Sequence, residues 1–137
     1  MDSESHCNGE KENSLEKHPR DILARSFAYA LRAIGLYQLL QRRKDGVGWI
    51  LGKQYLRAAT SIGANIEEAQ AGESRSDFIH KLGIAQKEAR ESLYWLHLLT
   101  ESGIVGRDRV EPLARETRTL LAIMTAIIVN TKNRDRG

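Results

Sequence analysis

A chain of 137 residues with 41% hydrophobic side chains points to a single domain with a core of useful size. Its most apolar run, Leu120 to Val129, is broken by Thr125 and falls far short of the roughly 20 residues a bilayer requires, which excludes a membrane span. One cysteine, Cys7, excludes an internal disulfide and a cysteine-built zinc site, and the formal net charge of +3 is modest but unevenly distributed.

Residues 1–19 carry two basic against five acidic side chains and no apolar signal core, so a disordered polar tail and a cytoplasmic protein are expected. A first helix is expected from near Asp21 to near Lys44, with Leu23, Phe27, Ala30, Ile34 and Tyr37 as its apolar stripe. After a break at Asp45 to Gly48, a second helix runs through Leu51, Tyr55, Ala58, Ile62 and Ala69 and stops at Gly72. Steps of four, three and four along Ala58, Ile62, Asn65 and Ala69 put Asn65 on its buried face. A buried amide without partners costs about 1–3 kcal/mol, so Asn65 is expected to specify a helix packing or to serve a site. Gly63 costs about 1 kcal/mol relative to alanine in a helix and is best explained by the close approach of another backbone.

Ser74 and Asp77 form a capping-box-like start to a third helix whose stripe is Phe78, Leu82, Ala85, Ala89, Leu93 and Leu96. Gly103 to Gly106 breaks the chain again. Asp108 and Glu111 are placed to cap a fourth helix carrying Leu113, Leu120, Met124 and Ile127, with Pro112 tolerated near its start. Short loops between helices of similar length favour antiparallel neighbours, giving an all-α, up-down-up-down four-helix bundle over residues 20–132 and a flexible C-terminus over 133–137. Leu36, Leu39, Leu40, Trp49, Tyr94 and Trp95 exceed what one stripe per helix needs, so either the core is wide or the subunit oligomerises.

Residues 20–59 hold eight basic against two acidic side chains and residues 107–137 hold seven against four, whereas residues 60–106 hold four against seven. The first and fourth helices are therefore expected to be basic and the third acidic, which suits a polyanion or a neighbouring subunit. Candidate nucleic-acid contacts are Arg25, Arg32, Arg42, Arg43, Lys44, Lys53, Arg115 and Arg118, with Lys132, Arg134 and Arg136 further along. Support for chemistry is thin. No glutamate has a histidine three residues on, as di-metal carboxylate bundles require, and no nucleophile elbow or phosphate loop is present, so no cofactor and no metal are expected.

Ser61-Ile62-Gly63-Ala64-Asn65-Ile66-Glu67-Glu68-Ala69, Ser76-Asp77-Phe78, and Ile84 to Ser92 followed by Tyr94-Trp95-Leu96 agree in order and spacing with a known family. Over roughly residues 20–132 the chain resembles the bacterial four-helix proteins annotated in intervening sequences of 23S ribosomal RNA. That family includes the accessory variability determinant of diversity-generating retroelements. The resemblance implies antiparallel subunits in rings of five, a partner that is RNA or a reverse-transcriptase-type protein, and a buried polar packing element at Ser61, Asn65 and Glu68. The functional expectation is a non-catalytic, RNA-associated oligomeric scaffold, with a protein-protein adaptor ring as its competitor and an enzyme third.

Overall fold

The computed structural model describes residues 19–136. Cys7 and the expected polar tail, apart from Pro19, lie outside the described residues. Four helices follow in order, α1 (Pro19–Arg43), α2 (Gly46–Gln70), α3 (Arg75–Glu101) and α4 (Arg107–Arg136). The last continues through residues 133–136, past the domain boundary expected at 132. No strand occurs among the described residues. Each helix packs on its sequence neighbours and α4 closes the bundle against α1, the cyclic arrangement that short antiparallel connections produce.

Local chemistry sets the helix ends. Asp45 is extended and its carboxylate accepts from the Gly48 N–H at 3.1 Å, so α2 begins as soon as α1 has ended. Ser74 caps α3 by accepting from the Asp77 N–H at 3.1 Å. Asp108 falls inside the first turn of α4 rather than at its cap, where its charge complements the helix dipole.

The core stripe of α1 differs from the expected one. Ile22, Ser26, Tyr29, Ala33, Leu36 and Leu40 are buried at alternating steps of four and three, while Phe27 is 67% exposed and Leu31 55%. The helix is rotated about its axis relative to the sequence-based expectation, because Gly63 admits Ser26 to the α1–α2 seam. A Cβ on Gly63 would lie 3.3 Å from Ser26 Oγ and 3.6 Å from its backbone oxygen, the close approach expected of that glycine. On α2 the buried positions are Gly48, Gly52, Tyr55, Ala58, Ala59, Ile62, Ile66 and Ala69. After Ile62 the stripe steps by four to Ile66, not by three to Asn65. Leu82, Ala85, Ala89 and Leu96 of α3 and Leu113, Leu120 and Met124 of α4 are buried as expected, with Ile128 deeper than Ile127.

Charge needs one revision. Within its observed bounds α3 carries four basic and four acidic side chains, so it is balanced. The acidic excess of residues 60–106 comes from Glu67 and Glu68 at the end of α2 and Glu73 in the following turn.

Candidate functional site

The expected polar packing element is not a core. Asn65 is half-buried and its Nδ2 donates to the Ser61 carbonyl of its own helix at 2.8 Å; Ser61 Oγ likewise donates to the Arg57 carbonyl at 2.7 Å. Glu68 is exposed and accepts from Lys81 of α3 at 2.8 Å. Ile66 occupies the core position, so none of the three locks α2 through a buried hydrogen bond to another helix.

That part falls to residues the sequence pattern does not single out. Tyr29 of α1, Tyr55 of α2 and Thr117 of α4 are buried and joined in one line: Tyr55 Oη donates to Tyr29 Oη at 2.9 Å, and Tyr29 Oη lies 2.6 Å from Thr117 Oγ1. Thr117 Oγ1 donates onward to the Leu113 carbonyl at 2.7 Å, so Tyr29 is the donor to Thr117 and every proton has a direction. Ser92 of α3, also buried, donates its hydroxyl to the Glu88 carbonyl of its own helix at 2.9 Å. Three of the four helices, α1, α2 and α4, thus contribute hydroxyls to a single buried network, and the two tyrosine rings meet edge to face at 6.5 Å.

Burial pushes the Tyr29 hydroxyl pKa up, with the Thr117 and Tyr55 hydrogen bonds opposing it. Burial also pushes Tyr55 far above the ordinary tyrosine value, helped by Tyr29. Because the folded values exceed the unfolded value of about 10, this stabilisation is complete below that pH and is lost as pH rises above it. We therefore expect a urea midpoint that these groups leave flat up to about pH 10 and lower beyond it, with the decline reduced in the double variant Tyr29→Phe/Tyr55→Phe.

The residues expected as a polar core instead line the outer α2–α3 seam. Val47, Ile50, Gln54, Arg57, Ser61, Ala64 and Glu68 follow at steps of three and four along the outward side of α2. Arg57 pairs with both Glu88 and Glu91, and Glu91 also accepts from Trp95 Nε1 at 3.1 Å. At the start of α2, Val47 and Ile50 are each 59% exposed, and Tyr94 on α3 is 57% exposed. The outward side of α2 is thus apolar at its start and ion-paired to α3 from Arg57 to Glu68.

A second apolar face lies elsewhere on the bundle. Phe27, Leu31 and Ile34 form an outward stripe on α1, beyond the seam that Ser26 and Gly63 make with α2. These residues, apart from Leu31, belong to the stripe that the sequence reading assigned to the core.

The candidate cations divide into two groups. Arg25 is committed to the bundle, donating to Glu116 from Nε at 2.7 Å and from a second nitrogen at 3.0 Å, and Glu116 holds its pKa above the usual arginine value. Arg43 donates to the Ile104 carbonyl at 2.8 Å, Arg118 pairs with Glu111 at 2.6 Å, and Lys53 Nζ sits 4.9 Å from the centre of the Trp49 ring. Arg32, Arg42, Lys44 and Arg115 are exposed, as are Lys132 and Arg134; the side chain of Arg136 lies outside the described residues. Arg32 borders a groove between α1 and α4 with Arg109, whereas Arg42 and Lys44 stand at the α1–α2 turn.

Among the described residues no group of three or more His, Cys, Asp or Glu side chains is placed to hold a metal ion, and no helix is long and apolar enough to cross a membrane.

A family model described as 23S rRNA-intervening sequence protein matches residues 20–126. The structure is similar to a crystal structure from Bacteroides thetaiotaomicron VPI-5482, a protein of unknown function from the S23 ribosomal protein family. The two are 40% identical with a TM-score of 0.73, and the match covers 78% of this chain and 97% of the other. No curated protein matches the chain.

Proposed function

The chain belongs to the 23S rRNA-intervening sequence protein family, and from that premise we propose that it is a non-catalytic scaffold that assembles with copies of itself and associates with RNA or a ribonucleoprotein through exposed cations. The observation that carries the scaffold is the presence of exposed apolar side chains in two separate places, Phe27, Leu31 and Ile34 along α1 and Val47 and Ile50 at the start of α2. Covering a large apolar side chain completely contributes about 1.5–3 kcal/mol, so several left in water together favour association. Two unlike faces on one subunit favour a head-to-tail contact, which closes into a ring when the rotation per subunit divides a full turn. A ring of five is the number the family resemblance implies. No chemistry is assigned to the chain, and the proposed place of action is the cytoplasm.

RNA association rests on the family's description and on Arg32, Arg42, Lys44 and Arg115, which are exposed. Binding of the full chain to single-stranded RNA should weaken steeply with salt, and Arg42→Glu with Lys44→Glu should weaken it further, because each lost phosphate contact removes about 0.7 from the log–log salt slope. Fluorescence anisotropy across a salt series measures both. Absence of binding at low ionic strength would overturn the RNA half. A second reading, an adaptor ring that meets only protein, is favoured by one observation: Arg25, Arg43, Arg118 and Lys53 are engaged within the subunit. An assembled ring that binds no RNA would select it.

A further inference from the structure

At the α1–α2 turn one aromatic side chain has a different setting from the rest. Trp49 is 40% exposed, and its Nε1 donates to Tyr37 Oη at 2.8 Å, which fixes the plane of the indole. Lys53 lies over the ring. The indole also lines an open pocket of about 240 Å³ with Gln41, Lys44, Asp45 and Gly46. That volume is roughly eight times a water molecule's share of the liquid, room for a flat ring. Arg42, Lys44 and Lys53 stand at the turn beside Arg43, which is engaged by the Ile104 carbonyl, and the neighbouring carboxylate, Asp45, is occupied in capping α2.

Lys44 has a second peculiarity. Its φ of 56° is the only positive value at a non-glycine position among the described residues, in the left-handed region where glycine or asparagine costs least. A left-handed residue just past the last turn is a common helix ending, and here it sets Lys44 at the mouth of the aromatic-walled pocket. A fixed aromatic plane beside cations is how single strands are held without sequence preference: a base stacks and its phosphates meet the charges.

Resting on the RNA reading above, we propose that the turn is a nucleobase site, in which one unpaired base of an RNA strand enters the pocket against Trp49, Gln41 offers its amide to the base edge, and Lys44 and Arg42 meet the flanking phosphates. A base held in a duplex cannot enter, so the site selects single-stranded segments.

The test titrates the full chain into a labelled single-stranded oligoadenylate and into a blunt RNA duplex of equal length, over a salt series. Trp49→Leu should weaken single-strand binding roughly 5- to 100-fold at every salt concentration, the loss of one stacked base, with an unchanged salt slope and an unchanged assembly mass. Duplex binding should not change. Lys44→Gly should make the salt slope shallower while keeping or raising the melting temperature, a combination that a merely structural lysine would not give. Single-strand binding by Trp49→Leu equal to that of the unmodified chain would overturn the site and leave the RNA reading standing. A changed assembly mass in that variant would place Trp49 in a subunit contact and overturn it too. Competition by AMP as strong as by the oligonucleotide would reassign the pocket to a free nucleotide, against the strand proposed. If the unmodified chain binds no RNA at low salt, the site and the RNA reading fall together.

Discussion

Phe27→Glu combined with Leu31→Glu is expected to yield a folded helical monomer from a chain proposed to assemble. Both side chains are more than half exposed within the subunit, so charges there cost the isolated bundle little, and surface changes of this kind usually stay within about 0.5 kcal/mol. In an interface the same carboxylates would have to leave water without partners, a penalty of several kcal/mol that a contact built from a few apolar side chains cannot offset. Light scattering should show the mass falling to about that of one 15.4 kDa chain, with helical circular dichroism retained. If α1's outer stripe were incidental, the mass would not move.

The second large effect lies inside the bundle. Tyr29→Phe leaves the Tyr55 hydroxyl buried with no acceptor, and such an orphan costs about 1–3 kcal/mol. Adding Tyr55→Phe removes the stranded donor, so the double variant should lose less than the two single losses combined, a coupling of about 0.5 kcal/mol or more. Measured in the Phe27→Glu/Leu31→Glu background, urea unfolding is free of assembly effects, and simple additivity would show that the hydroxyls do not act as one network.

Helix number, antiparallel order and the Ser74 cap were legible because each follows from local chemistry, a hydroxyl three residues ahead of an open N–H and short turns, whereas the second helix ends on Ala71 as its C-cap with no left-handed glycine at Gly72. The inward face of α1 was not. That helix carries two stripes at the same period, and the more apolar one, with Phe27 and Ile34, faces out, while the one bearing Ser26 and Tyr29 faces in. Hydrophobicity ranks the stripes but does not say which surface each one covers, because an association face draws on the same side chains as a core. Asn65 shows the complementary error. Asn65 and Ile66 both continue the stripe after Ile62, one by a step of three and the other by four, and burial goes to the hydrocarbon. The hydroxyl network left one usable trace, Tyr29 on the seven-residue frame of Ile22 and Leu36, but its partners on two other helices are joined only by the fold. Nor does a run such as Arg42-Arg43-Lys44 reveal that its middle member is bonded to a carbonyl 61 residues away.

Head-to-tail association is tested most directly by mixing two variants, Phe27→Glu/Leu31→Glu and Val47→Glu/Ile50→Glu, each lacking one apolar face. Each alone should be monomeric, and an equimolar mixture should form a one-to-one dimer and nothing larger, since a single intact pair of unlike faces remains between them. A dimer formed by either variant alone, or a mixture that stays monomeric, would contradict it.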